Sequence, residues 1–592
     1  MKMNKIKIAF IAVFFTALLL PFSCRKNFLT QTDTFQATAD ATFQKSQDVV
    51  ALVNSIYDAY QNSDLLKKSI WYYANFESHD WYNDGADIAW NSYSENSNFD
   101  ALSTFWNNAY IAIGRANQAF GIIATAKAKG VVASDLADRL TGEAYFLRGM
   151  SYYYLAGTFG GVPLELNPVS TGLSPRSTQA QVFTQVIADM KQAETLLDSK
   201  TTLPSTEIGR ATKGAAYGYE GAAQMWLADY TAALTAFNNP ELTNNYHLLP
   251  NWIDVNEYAN QNSDESLFEI QFDLPQGESQ SWDGGWQDGG EIAWIDDFSW
   301  PWEISGFGYD YANPGLWYSY QAGDLRKAGT IIGPGDTIVS PGIIAKWGGI
   351  KGYAVVQAGF AAGVKANPAE QYSSYEGDDG KIINTCGALR QPWYGNDLTR
   401  SGYYCAKKWR DPTLTGSNGT SAIFGSQNQI MLRYAEILLD RAECEIRTGN
   451  TAGAMADIKA VRDRAWGGTG KSPTVMQDGL TYDGKAAQPI TDPMQMVLSE
   501  YRHELTGEYS LFYNLRRAGI DKTTNTSYAA EFIHANYNTD NSLLPEPYPY
   551  GPTADGQLHG VWFTSLPAGH DILPIPQAAI GLNPNLKQNP GY

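Results

Sequence analysis

The chain has 592 residues, a formal charge of −20 and an aromatic fraction of 13% that includes 17 tryptophans. So acidic a chain is a poor nucleic-acid binder, because phosphate contacts need clustered Lys and Arg. Cys24, Cys386, Cys405 and Cys444 lack the C-x-x-C spacing of a zinc knuckle, and the six histidines form no metal-spaced pair, so neither cofactor nor metal is expected.

The N-terminus reads "MKMNKIKIAFIAVFFTALLLPFSC". Lys2, Lys5 and Lys7 precede an apolar run from Ile8 to Leu20 that is short for a membrane span and has the build of a signal peptide. It stops near Cys24, which is preceded by the small residue Ser23, the arrangement in which cleavage leaves a lipid-bearing cysteine. Residues 1–23 are therefore expected to be removed and Cys24 to carry lipid; an ordinary secretory signal is the alternative. Losing three lysines takes the formal charge to −20 − 3 = −23. No other apolar run approaches the ~20 residues of a spanning helix. The expected product is a soluble body tethered at one end and working outside the cytoplasm. There a Cys386–Cys405 disulfide is permitted, and inert thiols equally so.

Helical periodicity marks 47–60, 101–127 and 136–156. Between the first two lies "DWYNDGAD" (80–87), an oxygen-rich stretch that hints at calcium but lacks EF-hand spacing. From 178 to 197, Val182, Val186, Met190, Ala193 and Leu197 recur at helical spacing. In "GAAQMWLADYTAALTAF", Gly221, Ala233 and Phe237 take the small, small and large positions of a tetratricopeptide helix pair. Ala442, Ala454 and Ile458 repeat that spacing in "AECEIRTGNTAGAMADI". Two such matches predict a mainly α scaffold of helix pairs, with long loop-rich insertions between them.

"AWGGTGKS" (465–472) is one glycine short of a phosphate-binding P-loop. Its flanks decide against that reading, since a helix precedes it and Pro473 with turn formers follows. It reads as a glycine exit from a helix. One more helix is predicted at 494–515. Its His503-Glu504 begins a zincin pattern that no second histidine completes, and no G-x-S-x-G elbow occurs anywhere. Asp296-Asp297 and Asp378-Asp379 could serve a glycosidase but read more simply as solvated turns.

Tryptophan placement is the anomaly. Trp71, Trp81 and Trp90 fall in one polar stretch, and Trp282, Trp286, Trp294, Trp300 and Trp302 in a second, rich in Gly and Asp. Flat rings beside Asp, Asn and Gln suit a sugar, whose C–H faces stack while its hydroxyls bond the polar rim. A ligand platform is expected from Trp81, Trp282, Trp286, Trp300 and Trp302, with Trp71, Trp90 and Trp393 as further candidates.

Ordered motifs run along the chain: "CRKNFLT", "GEAYFLRGMSYYYLAGTFGGVPL", "GRATKGAAYGYEGAAQMWLADY", "QIMLRYAEILLDRAECEIRTG", "LSEYRHELTGEYSLFYNLRRAG" and the terminal "HDILPIPQAAIGLNPNLKQNPGY". Together they resemble the SusD/RagB family of outer-membrane lipoproteins of Bacteroidota, with Thr30 and Tyr501 departing from the usual residues. The resemblance implies one SusD-like domain over 24–592, with an N-terminal helical part at about 24–240 and a C-terminal part at about 265–592. It also implies a non-catalytic protein on the cell exterior, anchored by lipid, that captures oligosaccharides as the lid of a TonB-dependent SusC-like transporter. Peptide capture is the alternative in the same family, and a secreted glycosidase the distant one. Arg433 and Glu436, three apart, are expected to pair on one helix face.

Overall fold

The computed structural model describes residues 43–62, 65–83, 89–90, 93–272, 310–312, 314–332, 339–347, 427–479, 487–518, 528–537 and 572–592, with short pieces at 375–376, 382–383, 404–405, 407, 566–567 and 569–570. Helical periodicity becomes a file of helices, each packed on its neighbour in the chain. The order is α1 (Ser46–Gln61), α2 (Asp100–Ala128), α3 (Ser134–Phe159), α4 (Gln179–Leu196), α5 (Lys213–Trp226) and α6 (Tyr230–Phe237). Across the long middle segment the file resumes, with α6 against α7 (Tyr434–Thr448), then α8 (Thr451–Ala465), α9 (Pro493–Leu505) and α10 (Leu511–Ala518). Among the described residues no helix is long and apolar enough to cross a membrane.

Local chemistry sets the helix ends. Thr178 starts α4 by accepting from the Gln181 N–H, while Gln181 accepts in return from the Thr178 N–H, a reciprocal capping box. Asn450 caps α8, and Asp492 caps α9 with Pro493 at its first position. The file is built around α3, in which every residue from Phe146 to Phe159 is buried. Such a helix has no solvent face, which is why its aromatic and small residues run all the way round.

The two small-residue pairs interlock as their spacing predicts. A Cβ placed on Gly221 of α5 would come within 2.3 Å of the Phe237 ring on α6, so only glycine admits that ring. Ala233, Phe237, Ala442, Ala454 and Ile458 are all buried, and α6 packs on α7 to join the pairs.

Two expectations need correction. The helix predicted at 494–515 is two helices, broken where Gly507 takes φ = 79°. Tertiary bonds replace the helical ones at the break: Asn75 accepts from the Gly507 N–H (2.8 Å) and donates to the Glu508 carbonyl (2.7 Å), and the Trp71 indole donates to the Gly507 carbonyl (2.9 Å). Arg433 is not on a helix face. It ends strand β2 (Gln429–Arg433), which pairs antiparallel with β1 (Ser266–Ile270), and α7 begins at the next residue. Glu436 instead accepts from Asn514 (2.8 Å). A second sheet joins Trp81–Asn83, Asp310–Ala312, Tyr404–Cys405 and Ile331–Ile332 in that order.

Replacing Ala233 or Ala454 with Leu should overpack a helix contact and lower stability by ~1–3 kcal/mol, read by urea unfolding. Unchanged midpoints in both variants would contradict the packing described.

Candidate functional site

Among the described residues a dense cluster of charges lies in the interior. Glu504, on α9, accepts at one carboxylate oxygen from Arg433 (2.6 Å), Arg464 and the Trp252 indole (3.1 Å), and at the other from Arg326 (3.1 Å). Arg326 also holds Asp324 and Glu500, each at 2.7 Å, and Arg462 reaches Glu500 at 2.6 Å. Glu508 is shared by Arg433 (2.7 Å) and Lys407 (2.6 Å), and Glu265 by Arg433 (2.9 Å) and Arg464 (2.6 Å). Five carboxylates (265, 324, 500, 504, 508) thus face five cations (326, 407, 433, 462, 464), every one buried. Burial alone would raise the Glu504 pKa, but the guanidiniums of Arg464, Arg433 and Arg326 hold it well below the usual carboxylate range. The family-like motifs around Arg433 and Glu504 are therefore structural.

His503, beside Glu504, is held neutral. Burial first, then Arg326, Arg502 and Arg462, push its pKa well below the ordinary value, and Nε2 lies 2.9 Å from Ser319 Oγ. The "WGGTG" segment is a helix exit, as its flanks indicate. Gly467, Gly468 and Gly470 have φ of 84°, 136° and 75°, and the segment wraps the Asp463 carboxylate. That carboxylate accepts from the Gly470 N–H (2.7 Å), the Ser472 hydroxyl (2.6 Å) and Lys459 (2.6 Å). Burial opposes ionisation of Asp463, yet these bonds hold its pKa down to about 2. The donors a nucleotide phosphate would need are already used by this internal anion.

Of the five platform tryptophans, Trp81 is described and has no exposed surface; its indole donates to Thr506 Oγ1 (2.7 Å) beside the break between α9 and α10. In this structure its ring is therefore core. Trp282, Trp286, Trp300 and Trp302 lie outside the described residues, as do Cys24, Cys386, Trp393 and the paired aspartates. Trp71 and Trp90 are fully buried. Asp80, first residue of the calcium-like stretch, is buried and paired with Arg502 (2.7 Å).

A cavity of about 370 Å³ opens between α2, the 163–172 loop and the C-terminal helix Gln577–Leu582, within the usual range of small-ligand clefts. Trp106 and Tyr110, with ring centroids 5.1 Å apart, line one side, and Asn107, Asn117, Asn167 and Glu165 supply polar groups. The wall is fixed in advance. Asn117 donates to the Glu165 carbonyl (2.8 Å) and accepts from Arg148 (2.8 Å), which grips Asp189 through two bonds (2.9 and 2.6 Å). Glu165 is the one carboxylate among the described residues lining the cavity. Sequence reading passed over this wall because Trp106, Tyr110 and Asn117 lie at helical spacing, where aromatic residues read as core.

These features define a helical scaffold that presents long insertions, with aromatic and amide groups around an open cleft. The chain belongs to the SusD family: the family model matches residues 257–592, and a second model, described as starch-binding associating with outer membrane, matches 27–227. SusD-like protein P2 of Formosa agariphila is 25% identical over 486 residues, 78% of this chain and 80% of the relative. A solved laminarin-binding SusD-like protein has a TM-score of 0.65 at 20% identity, covering 93% of this chain and 100% of its own. Surface glycan-binding protein A from Bacteroides thetaiotaomicron, solved in complex with laminarihexaose, has a TM-score of 0.63 at 18% identity over 92% and 99%. At these identities the likeness to the solved structures is one of fold.

Glu504→Gln should be strongly destabilising, by about 3–5 kcal/mol, because it leaves buried guanidiniums without their shared partner. Chemical denaturation measures this, and a loss below about 1 kcal/mol would contradict the central place given to Glu504.

Proposed function

We propose that this protein captures glycans at the outer membrane without transforming them, and serves as the lid of a TonB-dependent SusC-like transporter. The observation that carries the reading is a fold shared over at least 92% of the chain with proteins described as binding laminarin and laminarihexaose. The outer-membrane and starch-binding description of the family model over 27–227 points the same way. After removal of a signal peptide over 1–23, a lipid on Cys24 would hold the folded body at the membrane.

The ligand platform is assigned to Trp282, Trp286, Trp300 and Trp302. Their segment re-enters the described structure at Asp310–Ala312, which pairs with Trp81–Asn83. Trp81 is the buried anchor of that edge. Stacking on pyranose faces contributes roughly 1–2 kcal/mol per ring, by analogy with aromatic pairs. Such a site is insensitive to salt, having no paired charges to screen. Modest affinity suits a lid that must release its cargo to a transporter.

Affinity electrophoresis against laminarin, starch and a peptide mixture tests the reading. Retardation by a glucan is expected, with loss of about tenfold in affinity per Trp→Ala change at 282, 286, 300 or 302 and an unaltered melting temperature. Trp81→Phe should do the reverse, lowering the melting temperature and sparing affinity. Binding of peptides alone would move the protein to the other ligand class, and release of sugar from any polysaccharide would end the non-catalytic reading. Metabolic labelling with palmitate should mark the natural chain and not Cys24→Ala; equal labelling would refute lipid attachment there.

A further inference from the structure

Three polar side chains from distant parts of the chain meet in the interior, where the atoms they turn toward one another make no hydrogen bonds. Glu77 follows the short helix Tyr72–Asn75, Glu95 precedes α2, and His570 lies ahead of the C-terminal helix. Their exposures are 0%, 3% and 5%. Among the described residues, neither oxygen of either carboxylate has a hydrogen-bond partner, and neither has His570 Nε2. One ligand atom from each residue lies within 4.8 Å of the other two, and His570 Nε2 stands 3.3 Å from an oxygen of each glutamate.

The distances discriminate between a proton and a metal at the centre. A charge-assisted N–H···O bond closes to about 2.7–2.9 Å. A tetrahedral cation about 2.0–2.1 Å from each ligand holds its ligand atoms about 3.3–3.4 Å apart, which is the spacing from His570 Nε2 to each glutamate. The imidazole is also oriented for the task. Tyr592 Oη lies 3.0 Å from Nδ1, so Nδ1–H can donate to that oxygen and leave the Nε2 lone pair facing the carboxylates.

We propose that Glu77, Glu95 and His570 form a binding site for a divalent transition metal of the zinc class. One imidazole nitrogen and two carboxylate oxygens are a donor set zinc accepts, whereas calcium seeks six to eight oxygens and two carboxylates cannot supply them. Two carboxylates, a neutral imidazole and a dication sum to zero, so the metal removes the repulsion that burial intensifies. The fourth position is open to a water. The metal would pin together the segment after Tyr72–Asn75, the segment before α2 and the C-terminal region, a structural clamp rather than a reaction centre.

The test uses the whole chain purified without chelator, with zinc and calcium chlorides as probes. Elemental analysis should find close to one zinc per chain, and zinc returned to chelator-treated protein should raise the melting temperature. Calorimetry should show at least a tenfold loss of zinc affinity in Glu95→Gln and in His570→Gln. Cobalt substitution of the natural chain should give the absorption bands of a tetrahedral site, a readout that does not require any variant to fold. Absence of stoichiometric metal together with no heat of zinc binding would overturn the proposal. So would undiminished zinc binding in both variants, or calcium binding in zinc's place.

Discussion

The structure turns on a single carboxylate that is surrounded by guanidinium groups. Glu504 gathers Arg326 from the middle segment, Arg433 from the end of a strand and Arg464 from α8 around one helix position. Removing so many charges from water carries a desolvation penalty that an apolar core would avoid, so the network is poor evidence for extra stability. What it supplies is uniqueness. Each arginine is bonded to particular acids, and any shift of α8, α9 or β2 would leave a buried charge unpaired. The second repeat pair, through α8, and the Asp324–Arg326 stretch are thereby tied to α9 and β2, with equal numbers of acids and cations.

Beside this network the aromatic stretch after α1 closes the break between α9 and α10. Trp71, Asn75 and Trp81 give their polar atoms to Gly507, Glu508 and Thr506, so the helix stops where side chains from residues 71–81 take over its hydrogen bonds. Trp81, which looked like part of a ligand surface, and Trp71 are thus packing of the scaffold. The same economy explains the glycine-rich 467–470 turn, whose donors close on Asp463 rather than on a phosphate.

Much of the scaffold was legible in the sequence. Apolar period marked the helices, and the caps the structure adds, Thr178 with Gln181 and Asp492 with Pro493, are equally local. Gly221 and Phe237, or Ala442 and Ile458, disclosed helix pairs because each spacing spans one short turn. The candidate clefts were less legible. Trp106 and Tyr110 border a cavity, yet their spacing on α2 is that of any buried stripe. Trp81 looked free because nothing adjacent to it announces Thr506.

The sequence by itself determined the mainly α class, the helix pairs, the helix exit after Ala465 and the family to which the chain belongs, since each depends on residues close together or on ordered motifs. Tertiary structure alone decided where charges and rings end up. Arg433 could have paired with Glu436 by local spacing, but it ends a strand and points at Glu265, Glu504 and Glu508 instead. Glu77, Glu95 and His570 share no spacing at all, and only folding brings them together. The physical reason is common to both cases. Helix propensity and turn chemistry act over a few residues, whereas a buried charge must find its opposite wherever the fold delivers it.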